Sequence, residues 1–208
     1  EEAAGMISQM EFIRRVDVQS ETIERYVREG LLIPDLIVPM SEHRTFKYFK
    51  EETLVDYAEK YGWKIIDDSN RKDLFMEMIE QMDMSYSYKP VLIKAVLLYA
   101  DDKGRIKLDD IVSYFRSYYE GRRNAGYIVE KKNSIFAKGG YTNKEAERNI
   151  LSNPFKRFED MQMLKHTKTL GIIQVDESVW KKLSDAEKAE IEKICDEKLA
   201  EYYGRINK

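Results

Sequence analysis

The apolar residues near the start of the chain recur with the spacing of two short amphipathic helices. In the first they occupy every third position: Ile7, Met10, Ile13 and Val16. This spacing predicts a helix over 7–16. A short interruption, 17–19, precedes a second helix for which Ser20 offers a hydroxyl N-cap. The apolar face of that helix consists of Ile23, Tyr26 and Val27. Gly30 is expected to end it, because glycine accepts the left-handed conformation found after helix C-termini.

The following segment has the pattern of β-strands. Pro34 and the β-preferring residues around it predict an extended chain over 31–38. Residues 45–49 alternate apolar and polar side chains, as a returning strand does, so the two segments predict a hairpin or wing. Helical spacing returns over 51–61 and stops at Gly62. We therefore expect a first domain over 6–66, followed by a linker helix over 67–83.

The rest of the chain, 84–208, predicts a larger helical domain. Its expected helices span 91–100, which is almost wholly apolar, then 108–119, 143–151 and 154–164. Short strands are expected at 127–129 and 170–175. Ser184 and Glu187 have capping-box spacing and open a long helix with an apolar stripe: Ile191, Ile194, Cys195, Leu199, Tyr202 and Tyr203. That stripe needs a partner. The whole pattern predicts a mainly α fold with short β wings.

Composition narrows the class of protein. Of the 208 residues, 43% are hydrophobic and 12% aromatic, enough for packed cores. No stretch approaches the roughly 18 apolar residues that cross a bilayer. The first five residues lack the features of a signal peptide, and Met6 is typical of a natural start. The single cysteine, Cys195, predicts a small buried residue in a cytoplasmic protein rather than a disulfide or zinc site.

The sequence offers no positive sign of an enzyme, a cofactor or a metal site. Gly139-Gly140 lacks the lysine and hydroxyl residue that would follow in a phosphate-binding P-loop. The two histidines, His43 and His166, have no nucleophile pattern nearby. We therefore expect a non-enzymatic protein.

Two segments of the first domain resemble the DNA-binding domain of the MerR family. Thr22–Pro34 is similar to the family's second helix and its exit, with threonine, a basic or aromatic pair, glutamate, glycine, leucine and proline in order. Arg44 with the aromatic pair Tyr48-Phe49 is similar to the end of the family's wing. The wing segment 35–42 is longer than the family's, and no cysteine cluster for metal sensing is present. The resemblance implies a winged helix-turn-helix over 6–66 that binds double-stranded DNA, in a bacterial-type transcriptional regulator or accessory factor.

The same segments carry side chains that can bond base edges and phosphates. The candidates around the second helix are Gln19, Thr22, Arg25 and Arg28, of which Thr22 and Arg25 are expected to reach the groove. In the wing, Arg44 and Lys47 could reach phosphates or the minor groove, and His43 could donate one more hydrogen bond. The alternative for the helix arginines is a surface ion-pair network with Glu21, Glu24 and Glu29.

Charge is unevenly distributed along a chain whose net charge is −3. Residues 6–50 hold seven acidic and seven basic side chains, so this module alone is expected to bind DNA weakly and to need dimerisation or a second surface. Between Gly121 and Thr169, eleven bases stand against five acids, a net charge of +6. This stretch is interleaved with aromatic residues: Tyr127, Phe136, Tyr141, Phe155 and Phe158. Two alternatives follow, a second winged helix with 153–166 as its recognition element or an aromatic core with solvated lysines. We expect a homodimer formed through the second domain or its terminal helix.

Two other functions stay open at this stage. Glu130-Lys131-Lys132, with Asp110 upstream, has the spacing of a PD-(D/E)xK nuclease, whose carboxylates would hold Mg²⁺. A protein-interaction adaptor would use the same N-terminal module to hold a protein instead of a duplex, and the low net basicity favours it. Charge reversal at Arg25 and Arg44 separates the adaptor from the DNA-binding protein.

Overall fold

The computed structural model describes residues 3–42 and 44–207. They are mainly helical with small antiparallel sheets, so the predicted mainly α fold with short strands is confirmed. The chain divides into two compact units: Glu1–Arg71 with Asp160–Gln162, and Lys72–Glu159 with Met163–Lys208. Within the described ranges no helix is both long and apolar enough to cross a bilayer.

The first unit opens with a strand, not with the helix predicted from Ile7. This strand, β1 (Ile7–Ser8), pairs antiparallel with β3 (Arg44–Phe49), where Ile7 lies opposite Phe49. Helix α1 (Gln9–Arg14) starts only after it, because the Ser8 hydroxyl accepts the Glu11 N–H at 3.2 Å and caps the helix there. The helix predicted over 7–16 is therefore two residues too long at each end.

Helix α2 (Ser20–Arg28) lies where the sequence predicts it, but Gln19 rather than Ser20 is its N-cap. The Ser20 hydroxyl donates instead to the Asp160 carboxylate at 3.4 Å. The C-terminal end follows the prediction. Gly30 has φ 72°, and the Leu31 N–H donates to the Tyr26 carbonyl at 2.8 Å, as in a Schellman motif.

A hairpin and a helix complete the first unit. β2 (Leu36–Ser41) pairs antiparallel with β3, and the sheet order is β1-β3-β2. The register shifts between Pro39 and Ser41, which leaves Met40 as an extra residue on β2. Helix α3 (Glu51–Tyr61) ends at Gly62 as predicted. The elements enclose one apolar core: Phe12, Ile13, Val16, Ile23, Leu32, Phe49 and Leu54.

The second unit is built around a buried helix. After α4 (Arg71–Glu80), α5 (Tyr88–Tyr99) provides this buried centre, as its apolar sequence predicts. Helix α6 (Leu108–Asn124) packs on α5. The terminal helix α11 (Asp185–Ile206) begins with the predicted capping box, and it also packs on α5. The partner of its apolar stripe is therefore a helix of the same chain.

A small sheet joins a strand that precedes α6 to two strands further along the chain, and only one of the three was predicted. Its strands are β4 (Arg105–Lys107), β5 (Leu164–Thr167) and β6 (Ile172–Val175), in the order β4-β6-β5. The expected strand over 127–129 is wrong, because this segment is a loop in which the Val129 carbonyl accepts the Tyr203 hydroxyl at 2.9 Å.

The helix expected over 154–164 is also wrong in its limits. After α7 (Ile135–Lys138) and α8 (Asn143–Ile150), the chain passes through a π-helical turn (Leu151–Phe155) into α9 (Lys156–Asp160), where the helix ends. Pro154 lies inside the π-helical turn instead of starting a helix. The proposed recognition element 153–166 therefore includes parts of this turn, α9 and β5. After β6, α10 (Glu177–Trp180) leads into α11.

Candidate nucleic-acid interface

Four of the residues expected to bind DNA line one shallow groove on the first unit: Gln19, Thr22, Arg25 and Arg28. Helix α2 brings them together because residues three apart lie on one face of an α-helix. Ile23 points the other way and is fully buried in the core. Arg25 and Arg28 are exposed, whereas Thr22 is half-buried. The outward face of α2 is thus held from behind by an apolar anchor.

The arginines of α2 are not used to stabilise the unit by ion pairs. In the part of the chain that the structure describes, neither Arg25 nor Arg28 forms an ion pair, so the alternative network with the neighbouring glutamates is absent. The Arg25 guanidinium lies over the Tyr26 ring, 5.5 Å from its centroid. Two of those glutamates, Glu21 and Glu24, line the same groove, so the groove has a mixed charge.

The wing residues do not form a single surface. Arg44, the first residue of β3, is exposed next to the hairpin turn, whereas Lys47 is half-buried. Because side chains alternate along a strand, Arg44 shares its face with Phe46, and Lys47 shares the opposite face with the buried Phe49. His43 lies outside the described residues. A partner that lies against one face of the hairpin can therefore contact Arg44 or Lys47, but not both.

A group of aromatic side chains fixes the exit of α2, and its role is not among those predicted from the sequence. The Ile33 N–H donates to the Tyr57 hydroxyl at 3.0 Å, and the Tyr61 hydroxyl donates to the Leu31 carbonyl at 2.8 Å. The Tyr61 ring stacks on Trp63, with centroids 4.9 Å apart. The available signal was the i, i+4 spacing of the two tyrosines on α3. These contacts hold the chain after α2 against α3.

Asp35 joins the hairpin to α3. Its carboxylate accepts the Lys50 N–H, the backbone group at the N-cap of α3, at 2.9 Å. Partial burial tends to raise the pKa of Asp35, but the hydrogen bonds from Lys50 and Thr53 outweigh it. The pKa therefore lies below its ordinary value. Ionised Asp35 thus stabilises the junction between wing and helix.

The residues of the nuclease alternative have structural roles. Glu130 is only 4% exposed, and it accepts hydrogen bonds from the Ser87 N–H and the Lys131 N–H, both at 2.8 Å, and from the Tyr202 hydroxyl. Asp110 lies in the first turn of α6, not on a strand. Nowhere in the described ranges do three or more histidine, cysteine or acidic side chains form a group able to hold a metal ion.

The aromatic residues of the basic stretch divide between the two alternatives. Phe136, Tyr141, Phe155 and Phe158 are buried, as an aromatic core requires. Tyr127 is 65% exposed.

Cys195 is buried as expected, and burial raises the pKa of its thiol to about 12. At neutral pH this thiol is protonated and unreactive.

No protein-family model, curated protein or solved structure matches this chain. The MerR resemblance therefore stays a prediction, and the functional argument depends on the chain's own residues.

Proposed function

We propose that the first unit is a winged helix-turn-helix that binds double-stranded DNA, with α2 in the major groove and the β2–β3 hairpin along the backbone. The proposal depends mainly on one observation. Arg25 and Arg28 are exposed on one groove with Gln19 and Thr22, and neither arginine has an ion-pair partner within the described chain. The role that fits is that of a transcriptional regulator or DNA-binding accessory factor.

The side chains on this face suit base readout. Arginine donates two parallel hydrogen bonds to guanine, and glutamine can pair with adenine. Arg44, exposed beside the hairpin turn, suits a phosphate contact that sets the orientation of the protein. Glu21 and Glu24 lower the affinity for the DNA phosphate backbone whatever its sequence. A glutamate on such a helix can also accept a hydrogen bond from the amino group of cytosine. We therefore expect modest non-specific affinity and a larger specific component.

A homodimer stays part of the proposal, since two copies would double the phosphate contacts. Its interface would not be the apolar stripe of α11, because that stripe packs on α5. Sedimentation of the protein with and without duplex tests this point. A single monomer on the duplex would remove the dimer from the proposal.

Charge reversal on the two elements tests the proposed function. R25E/R44E is compared with K60E/K64E, which changes the net charge by the same amount at the end of α3. Fluorescence anisotropy with mixed-sequence and genomic duplexes over a salt series should show a loss of at least about tenfold for R25E/R44E. The control should bind nearly as the parent does. Equal binding by both variants would contradict the proposal, and retained capture of a protein partner by R25E/R44E would favour the adaptor.

A further inference from the structure

Part of the second unit, from β4 to β6, repeats the strand and helix order of the first unit from β1 to β3. In both, a short strand runs directly into a helix: β1 ends at Ser8 before α1, and β4 ends at Lys107 before α6. Further helices follow, then an antiparallel hairpin whose last strand pairs with the opening strand. The sheet orders β1-β3-β2 and β4-β6-β5 are therefore the same arrangement. In this correspondence α8 and its continuation take the place of α2, and β5–β6 takes the place of the wing.

The face of α8 beside the hairpin carries charges of both signs. A groove joins the start of α6, α8 and the β5–β6 hairpin, and Lys107, Glu147, Leu151 and Lys168 are among its lining residues. With 3.6 residues per turn, two further bases share the face of Glu147 and Leu151: Lys144 and Arg148. Both are exposed.

The lining of this groove is balanced, with Lys107 and Lys168 against Asp109 and Glu147, as the lining of the α2 groove is. Over α8 and the β5–β6 hairpin as a whole, the bases are Lys144, Arg148, Lys165 and Lys168 and the acids are Glu145 and Glu147, a net charge of +2. Across the ranges that the structure covers, none of these bases forms an ion pair. The corresponding elements of the first unit, α2 and the segment from β2 to β3, hold the bases Arg25, Arg28, Arg44 and Lys47 against the acids Glu21, Glu24 and Glu42, a net charge of +1. The second surface thus has the larger net positive charge.

The π-helical turn supplies a further sign. It interrupts the helix where the groove ends, and it leaves Ser152 and Asn153 exposed. Short π-helical insertions in α-helices occur often at functional sites. The Ser152 hydroxyl donates to the Asn149 carbonyl at 3.4 Å, and the Asn153 amide can donate to a phosphate oxygen.

We infer that the second unit carries a surface for the phosphate backbone of duplex DNA, formed by the outward face of α8 and the β5–β6 hairpin. It takes the duplex without base readout, because its charged residues are mainly lysines and its exposed polar groups are few. The inference stands on the second unit's own residues and does not require that α2 bind DNA. If both surfaces act, this one supplies the affinity and α2 the specificity.

The test uses the full-length protein and a labelled duplex of mixed sequence. R148E/K168E is compared with K181E/K193E, an equal change of charge on exposed lysines of the second unit outside this surface. Circular dichroism and thermal denaturation establish that both variants are folded. We expect R148E/K168E to bind about tenfold more weakly and to reduce the slope of log K against log salt by about 2, one for each lost phosphate contact.

The outcomes separate this inference from the proposed function. The same affinity and slope for R148E/K168E and its control would overturn the inference, whatever R25E/R44E does. Loss of binding in R148E/K168E with intact binding in R25E/R44E would support the inference and contradict the role of α2. Additive losses in the combined variant would support both.

Discussion

Each unit buries some of its charged side chains and leaves others at the surface. The first unit buries Arg71 and Asp160, whereas its α2 arginines lie at the surface with no ion-pair partner in the described chain. The second unit buries a carboxylate, Glu130, among tyrosine and serine hydroxyls and backbone N–H groups. A side chain whose hydrogen bonds are all formed inside the protein contributes to stability and is not free to bind a partner. We therefore expect binding at charged side chains that lack partners inside the protein.

The largest expected effect comes from removing the buried carboxylate. Glu130→Ala leaves the N–H groups of Ser87 and Lys131 and the Tyr202 hydroxyl without their acceptor, which should cost about 4 kcal/mol. Urea unfolding is followed by Trp180 in a Trp63→Phe background, so that fluorescence reports on the second unit. The exposed Glu190→Ala is the control. A cost like that of the control would mean that the network adds nothing to stability.

The matching test in the first unit removes the anchor of α2. Ile23→Ala opens a cavity behind the helix and should cost about 3 kcal/mol. Unfolding is followed by Trp63 in a Trp180→Phe background. If the two units unfold independently, Ile23→Ala should leave the unfolding transition that Trp180 reports in a Trp63→Phe background unchanged. A parallel shift of both signals would contradict that independence.

A smaller effect is expected where the wing meets α3. Asp35→Ala removes the acceptor of the Lys50 N–H and should lower the stability of the first unit by about 1 kcal/mol. Because the pKa of Asp35 is lowered in the folded state, its contribution is present at neutral pH and is lost in acid. The exposed Asp56→Ala on α3 is the control. An unchanged midpoint would show that the junction does not depend on this carboxylate.

The smallest effect concerns the capping box of α11. The hydrogen bond from Lys72, together with those from Ser184, lowers the pKa of Glu187 to about 2 from its ordinary value of 4.5. Its contribution is therefore complete above about pH 4.5 and is lost as the pH falls towards 2. Glu187→Gln should flatten this part of the stability curve of the second unit, whereas Glu190→Gln should not. The same fall in stability at acid pH in both variants would contradict the contribution assigned to Glu187.

The sequence predicted those elements whose signals are local. Helices α2 and α3 combine a continuous apolar face with a terminal glycine, Gly30 or Gly62, and both were found. Strands β1 and β4 were missed because they contain two and three residues, and their partners lie far along the chain. Strand β5 is not predicted, since Lys165-His166-Thr167 lacks apolar alternation, and only its first residue, Leu164, falls in the helix expected over 154–164.

The candidate site could be predicted only in part for a related reason. Helical spacing was enough to bring the four residues of the α2 groove together. Arg44 and Lys47 were expected to act together, but side chains alternate along a strand and so place them on opposite faces of β3. The role of Glu130 depends on Tyr202, which lies 72 positions further along the chain. No local pattern reports such a contact.

Amide chemical-shift mapping of the full-length protein during titration with duplex DNA tests the central claim most directly. The account predicts that the amides of Gln19 to Arg28 and of Arg44 shift, whether or not those of α8 also shift, while those around Glu130 stay in place. Saturating binding that leaves the α2 amides unmoved would contradict the claim that this helix reads DNA.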